Sequence, residues 1–344
     1  MAELWFWLVT WMLGTYVVLA GADLGVGVLL LLVAKTRDEV DQVLEAIRPV
    51  WKGNEVWLVA CGGTLLVVFP KLLATAFSGF YLPLALVLWL LVFRNLGIEL
   101  RHQVDDVLWR RFWEVAVGLG SSWLVLCFGL ALGAVVRGVD LDESGRFFAP
   151  LWTDLTTLSP VGVVDWYTLL MAGAALTIMV HHGALWLALR CWGAVRERAV
   201  RVARGTMLAA FGLFALCSAA SFWIQPRALV GVTQRPLGLS WPLVAVLGLL
   251  ASGWLRRRQR FGVAYLASAG ALYGLLFTAA TAVFPEVLPG RTLDTGLHLT
   301  QAVAADSVLR SVLWWWVPGV LSVLAYSGWV YRRVIGLPPS RSDP

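Results

Sequence analysis

The amino-acid sequence predicts an all-α polytopic membrane protein, on three observations. Hydrophobic residues make up 59% of the 344 and charged residues only 14%, against about 25% charged in a soluble globular chain. Apolar runs of about 20 residues, long enough to cross hydrocarbon at 1.5 Å rise per residue, recur along the whole length. No ten-residue alternation of apolar and polar residues, the mark of a transmembrane barrel, interrupts them. The spans are therefore helices.

Nine helices are expected, at about 4–34, 51–70, 74–98, 112–137, 162–190, 203–225, 241–255, 261–283 and 311–333. The first run starts at Leu4 without a basic segment before it and without a cleavage site after it. It reads as a retained membrane helix rather than a signal peptide. The seventh is short and opens on Trp241-Pro242. Loops reach about 25 residues, too few for an independent core, so the chain reads as one integral membrane domain.

Cys61, Cys127, Cys191 and Cys217 stand singly inside apolar runs, which predicts small buried side chains, no disulfide and no cysteine-bound metal. The net charge of +6 lies mostly in short loops and carries no nucleic-acid reading. Loops after odd-numbered helices, with the C-terminal tail, hold 18 Lys and Arg, and the other loops hold 7. The excess of positive charge on cytoplasmic loops then predicts an outer N-terminus and a cytoplasmic C-terminus.

Charged residues inside the spans are the candidate functional groups, because a charge in hydrocarbon costs roughly 2.5–3.5 kcal/mol or more unless it is paired or hydrated. Asp23 sits about three turns from the cytoplasmic end of the first helix. Lys52 and Glu55 open the second, in Trp51–Trp57 WKGNEVW, and Arg94 and Glu99 close the third. With the orientation above, all five gather toward the cytoplasm. Lys52 and Glu55, three residues apart, are expected to share a helix face and to be able to pair. Asp23 is too short and too deep to reach water and needs a partner on another helix, for which Arg94 is the candidate. Carboxylates and bases opening toward the cytoplasm suit a proton input path. Gly21, Gly25 and Gly27 around Asp23 predict a close helix crossing.

His181 and His182 are adjacent on the fifth helix, while His102 and His298 fall in loops. A haem held by two histidines needs ligands on facing helices, so hydrogen-bonded packing or a proton relay is the expectation here. Trp5, Trp7, Trp11 and Trp314–Trp316 fit an aromatic belt at the membrane surface.

Taken in order, GADLGVG, WKGNEVW, AFSGFYLPL, FRNLGIELR, HHGALWLALR followed by RERA, FPEVLPG and LAYSGWVYRR resemble subunit II of the cytochrome bd-type quinol oxidases over nearly the whole chain. The resemblance implies two four-helix bundles, residues 4–137 and 162–283, with 311–333 as an additional C-terminal helix. It implies a prokaryotic cytoplasmic membrane surrounded by lipid, and a pseudo-symmetric heterodimer with a haem-bearing subunit I, joined in some complexes by a small single-helix subunit. Quinol oxidation, haem b, haem d and the reduction of oxygen to water would lie in subunit I, leaving this chain without a catalytic residue or haem of its own. It would contribute a cytoplasmic proton path through Asp23, Arg94, Glu99 and their neighbours Lys52 and Glu55, oxygen access near Trp57, and in some members a bound structural quinone.

The chain departs from that pattern where the family commonly has acids: Ala20 stands three residues before Asp23, and Lys52 follows Trp51. Glu99 stands where Asp is frequent. Glu55 is the candidate substitute. A secondary transporter with a buried Asp/Arg site is the alternative, and it predicts repeat-related broken helices with their breaks near the midplane. A free-standing b-type cytochrome is disfavoured by the histidine count.

Overall fold

The computed structural model describes residues 1–142, 144–158, 160–291 and 295–336. Among them, α1 (Ala2–Val33), α2 (Arg37–Glu45), α3 (Trp51–Val68), α4 (Pro70–Gly79), α5 (Tyr81–Leu100), α6 (Val107–Arg137) and α7 (Trp166–Arg190) make the first half. They are followed by α8 (Gly193–Ile224), α9 (Pro226–Thr233), α10 (Ser240–Arg257), α11 (Phe261–Val283), β1 (Glu286–Pro289), β2 (Gly296–His298), α12 (Leu299–Ala302) and α13 (Asp306–Gly336). Seven of these helices, α1, α5, α6, α7, α8, α11 and α13, are each long and apolar enough to cross a membrane. The chain is a multi-pass helical membrane protein.

The expected spans are all helical, with corrections at their ends. The third, expected from residue 74, begins at Tyr81. Residues 70–79 form a separate helix, α4, bent by 115° from α3, and only the two together are apolar and long enough to span. Pro70 explains the break: it disfavours helical backbone at Phe69, which sits at φ −126°, ψ 59°. The same device recurs at Gln225-Pro226, where Gln225 adopts φ −129°, ψ 83° between α8 and α9. The sixth, expected from residue 203, begins at Gly193, ten residues earlier. α10 has 18 residues but closes on Arg256 and Arg257, and these keep it below the apolarity of the other spans.

α2 is a short helix in what the sequence presents as a charged loop. Thr36 caps it, accepting from the Glu39 amide while the Glu39 carboxylate accepts from the Thr36 amide, so two orphan donors of the first turn are satisfied reciprocally. Val40, Val43 and Leu44 face inward and the rest of α2 stays polar.

α1 lies at the centre, packed on α3, α6, α7 and α11. A helix that is apolar all round belongs in a core, and most of α1 is buried. Its crossing with α7 brings the backbones into contact at Gly25 and Gly183: a Cβ on Gly25 would stand 2.1 Å from the Met179 carbonyl oxygen. The expected close crossing is thus present, and it fixes the depth of Asp23. Around this centre α5 packs on α6, α8 on α7 and α10 on α11, while α13 lies along α3.

Candidate functional site

Asp23 is two residues before Gly25 of the Gly25–Gly183 contact and almost fully buried. Its partner is Asn54 of α3, whose Nδ2 donates to Asp23 Oδ2 at 2.7 Å and to the Leu19 carbonyl at 3.1 Å. The Tyr331 hydroxyl, from α13, donates to Asn54 Oδ1 at 3.1 Å. Asp23 Oδ1 is buried and has no protein partner.

One residue further along α3, Glu55 reaches α5. Glu55 Oε1 lies 3.3 Å from Arg94 Nη1, and Asn95 Nδ2 donates to Glu55 Oε2 at 3.1 Å. Arg94 also donates to Asn95 Oδ1 at 3.0 Å and from Nε to Ser121 Oγ on α6 at 3.3 Å. Arg94 is 2% exposed and Glu55 23%, so the pair runs from a buried cation to a partly open carboxylate. Lys52 and Glu99 pair at 3.0 Å and are both well exposed.

The structure therefore corrects two expected pairings. Arg94 pairs with Glu55 rather than Asp23, and Lys52 with Glu99 rather than Glu55. Spacing along α3 allowed the intrahelical pair, but the first turns of α3 meet the last turns of α5, where each charge has a partner across the helices. The five predicted residues do fall in one region, as two ion pairs and a carboxylate held by an amide. Sequence reasoning missed Asn54, Asn95, Ser121 and Tyr331. The signal for Asn54 was its place in WKGNEVW between two charges; Tyr331 gave none beyond a polar tip in an apolar run.

Trp57 is buried, edge-on to Trp11 at 5.5 Å between ring centroids, and donates from Nε1 to Ser327 Oγ on α13 at 3.3 Å. Trp316 Nε1 donates to Thr64 Oγ1 at 3.1 Å. These two bonds and Tyr331–Asn54 hold α13 on α3.

The paired histidines are occupied by protein groups. His181 Nδ1 lies 3.1 Å from the Ala203 carbonyl and its Nε2 3.0 Å from Ser252 Oγ. His182 Nδ1 lies 2.6 Å from Ser268 Oγ and its Nε2 3.0 Å from the Val18 carbonyl. Every ring nitrogen is engaged, so a haem iron would have to displace a buried hydrogen bond at either residue. The geometry does not fit haem ligation.

At the opposite end of the helices, Arg137 closing α6 and Asp165 capping α7 form a fully buried ion pair. Gln225, at the α8–α9 break, donates to the Arg137 carbonyl and to the Gly290 carbonyl, each at 3.3 Å. On the Lys35 side, Arg101 is 1% exposed and pairs with Glu114 at 3.0 Å and Asp41 at 2.5 Å. Arg137 ties the end of α6 to the cap of α7, and Arg101, just after α5, ties α2 to α6.

A multi-pass helical membrane protein with a carboxylate buried beside a cross-helix ion pair is the class that fold and site define. The chain belongs to the cytochrome bd terminal oxidase subunit II family, whose model matches residues 1–334. It is 28% identical to the cytochrome bd-I ubiquinol oxidase subunit 2 of Escherichia coli, over 97% of this chain and 94% of that protein. Likewise it is 28% identical to a probable cytochrome oxidase subunit 2 of Haemophilus influenzae, at the same coverages, and 26% identical to the Bacillus subtilis cytochrome bd ubiquinol oxidase subunit 2, at 96% of each. Among solved structures, a chain of the bd oxidase from Geobacillus thermodenitrificans shares the fold, with a TM-score of 0.77 at 16% identity over 96% of this chain and 97% of that one.

Proposed function

We propose that this chain is the haem-free subunit II of a bd-type terminal quinol oxidase in a bacterial inner membrane, supporting a haem-bearing subunit I and carrying protons from the cytoplasm toward it. In this reading haem b and haem d, quinol oxidation and the reduction of oxygen to water belong to subunit I. The saturated hydrogen bonds of His181 and His182 support that division. Nine spans, with α3 and α4 counted as one and α10 as another, are proposed to cross the membrane, grouped as two four-helix bundles and the separate α13. The positive charge bias supports an outer N-terminus.

The observation that carries the proton role is the buried oxygen Asp23 Oδ1, left without a partner beside Asn54. A buried acceptor of this kind is normally satisfied by an ordered water. Arg94 Nη2 is a buried donor in the same condition. Waters between them would join Asp23 to Glu55, and Glu55 is open enough to exchange with the rim where Lys52 and Glu99 meet. Glu55 thereby replaces the acids whose places are taken by Ala20 and Lys52. Oxygen access near Trp57 belongs to the same proposal, along an indole held in place by Trp11 and Ser327. The transporter reading is not favoured, since family membership accounts for the whole chain.

Purification tests the assignment. The chain should copurify with a haem-bearing membrane subunit and should show no haem absorbance when isolated from it. A stoichiometric haem on the isolated chain would overturn the reading.

A further inference from the structure

α1 ends at Val33, and the turn into α2 faces the first turns of α6 across a pocket of about 220 Å³. Lys35 and Arg37 line it from one side, Arg110 and Arg111 from the other, with Glu114 at its base. Glu114 is already held by Arg101 at 3.0 Å, and Arg111 lies 3.5 Å from it. Arg110 pairs outward with Asp105 at 2.7 Å, leaving its Nε buried without an acceptor. Among the described residues, Lys35 and Arg37 form no ion pair and stand exposed. The pocket is therefore lined by four cations against one carboxylate that is otherwise engaged.

Its surroundings are apolar. Leu32 near the end of α1, and Leu108 and Phe112 in the first two turns of α6, lie within a few residues of the pocket's lining along the chain and are 65%, 80% and 57% exposed. Bare leucines next to unpaired cations at the end of two membrane helices match one ligand geometry, a phosphate head with hydrocarbon tails. Basic pockets at helix ends recognise anionic headgroups by charge and hydrogen bonding, while the adjoining surface accepts the acyl chains.

We propose that this pocket seats the headgroup of an anionic phospholipid from the leaflet on the Lys35 side, with its phosphate between Lys35–Arg37 and Arg110–Arg111 and its tails along Leu32, Leu108 and Phe112. The lipid would fasten the α1–α2 turn to α6. The site is independent of the proton route and rests only on the chain's spanning the membrane.

Native mass spectrometry of the delipidated oxidase complex, titrated with phosphatidylglycerol, phosphatidylcholine or inorganic phosphate, tests it. Lys35→Gln and Arg37→Gln remove exposed, unpaired cations and leave folding groups in place; Arg201→Gln, exposed on α8, is the control for general surface charge. Phosphatidylglycerol should bind in preference to phosphatidylcholine, and each pocket variant should weaken it roughly fivefold, the effect of one cation near an anionic headgroup, with the control unchanged. Equal retention of both lipids, equal loss in all three variants, or displacement of the lipid by millimolar inorganic phosphate would overturn the proposal, the last outcome identifying a free-anion site instead.

Discussion

Asn54 stands between Asp23 and Tyr331, donating a hydrogen bond to the carboxylate at 2.7 Å and accepting one from the phenol at 3.1 Å. One amide thus links α1, α3 and α13. Replacing it with alanine leaves a buried carboxylate and a buried hydroxyl without their shared partner, at a cost of about 1–3 kcal/mol. Asn54→Ala should lower the unfolding free energy of the detergent-solubilised complex by that amount and loosen α13, read as faster hydrogen exchange at Ser327–Tyr331. Wild-type exchange there would count against the link.

The Glu55–Arg94 pair should behave as a coupled unit. Removing one partner of a largely buried pair leaves the other uncompensated, although Glu55, at 23% exposed, recovers part of that from solvent. Glu55→Gln should cost up to about 3 kcal/mol. Arg94→Gln should cost more, because Arg94 also bonds Asn95 and Ser121. The double variant should fall short of the sum by about 0.5–3 kcal/mol in a thermodynamic cycle. Simple additivity would mean that the two side chains do not interact.

Gly25 and Gly62 make a matched pair of substitutions. A methyl on Gly25 meets the Met179 carbonyl oxygen at 2.1 Å, whereas nothing lies within 4 Å of one on Gly62. Gly25→Ala should destabilise by about 1–3 kcal/mol or prevent assembly. Gly62→Ala should be neutral or stabilising, by up to about 1 kcal/mol, since alanine favours helix. Melting curves of the two purified variants decide it.

At the α1–α2 turn, partial burial pushes the Glu39 carboxyl up, but hydrogen bonds from the Lys35 amide and from Arg198 outweigh it and hold the group below the usual carboxylate range. Because the folded pKa is depressed, the stabilisation is fully present above the unfolded value of about 4.5 and is lost as pH falls through the lower folded value. Thr36→Ala, which removes one half of the capping box, should cost about 1 kcal/mol at neutral pH. Glu39→Gln should flatten the loss of stability below pH 5, and an unchanged acid limb would contradict the assignment.

Much of this fold was legible in the sequence because hydrocarbon leaves few choices: apolar runs of sufficient length become helices, and the runs around residues 4–34 and 162–190 are found close to those limits. α4 was hidden for the same reason. Its residues are mostly apolar and read on between α3 and α5, and Pro70 alone signals the 115° turn. α2 was hidden in the opposite way, by charges that read as loop until the Thr36–Glu39 box is seen.

The site was legible as an inventory rather than a wiring diagram. Asp23, Glu55 and Arg94 stand out because charge in a membrane is costly, but linear spacing ranks only partners on the same helix. Which charge faces which across α1, α3 and α5 depends on helix rotation, and rotation is set by contacts such as Gly25–Gly183. The serines that satisfy His181 and His182, Ser252 and Ser268, lie on α10 and α11, 71 and 86 residues away.

The central claim is that protons reach Asp23 by way of Glu55. Time-resolved proton uptake by the reconstituted oxidase complex, during a single turnover with quinol and oxygen, tests it most directly in Asp23→Asn and Glu55→Gln. Uptake should slow at least about tenfold in both, the lower end of what losing a positioned acid–base group costs being about a hundredfold and bypass by water recovering some of it. Lys52→Gln, at the exposed rim, should leave uptake within about twofold of wild type, given the small worth of an exposed ion pair. Uptake at the wild-type rate in both carboxylate variants, in complexes that remain assembled, would contradict the account.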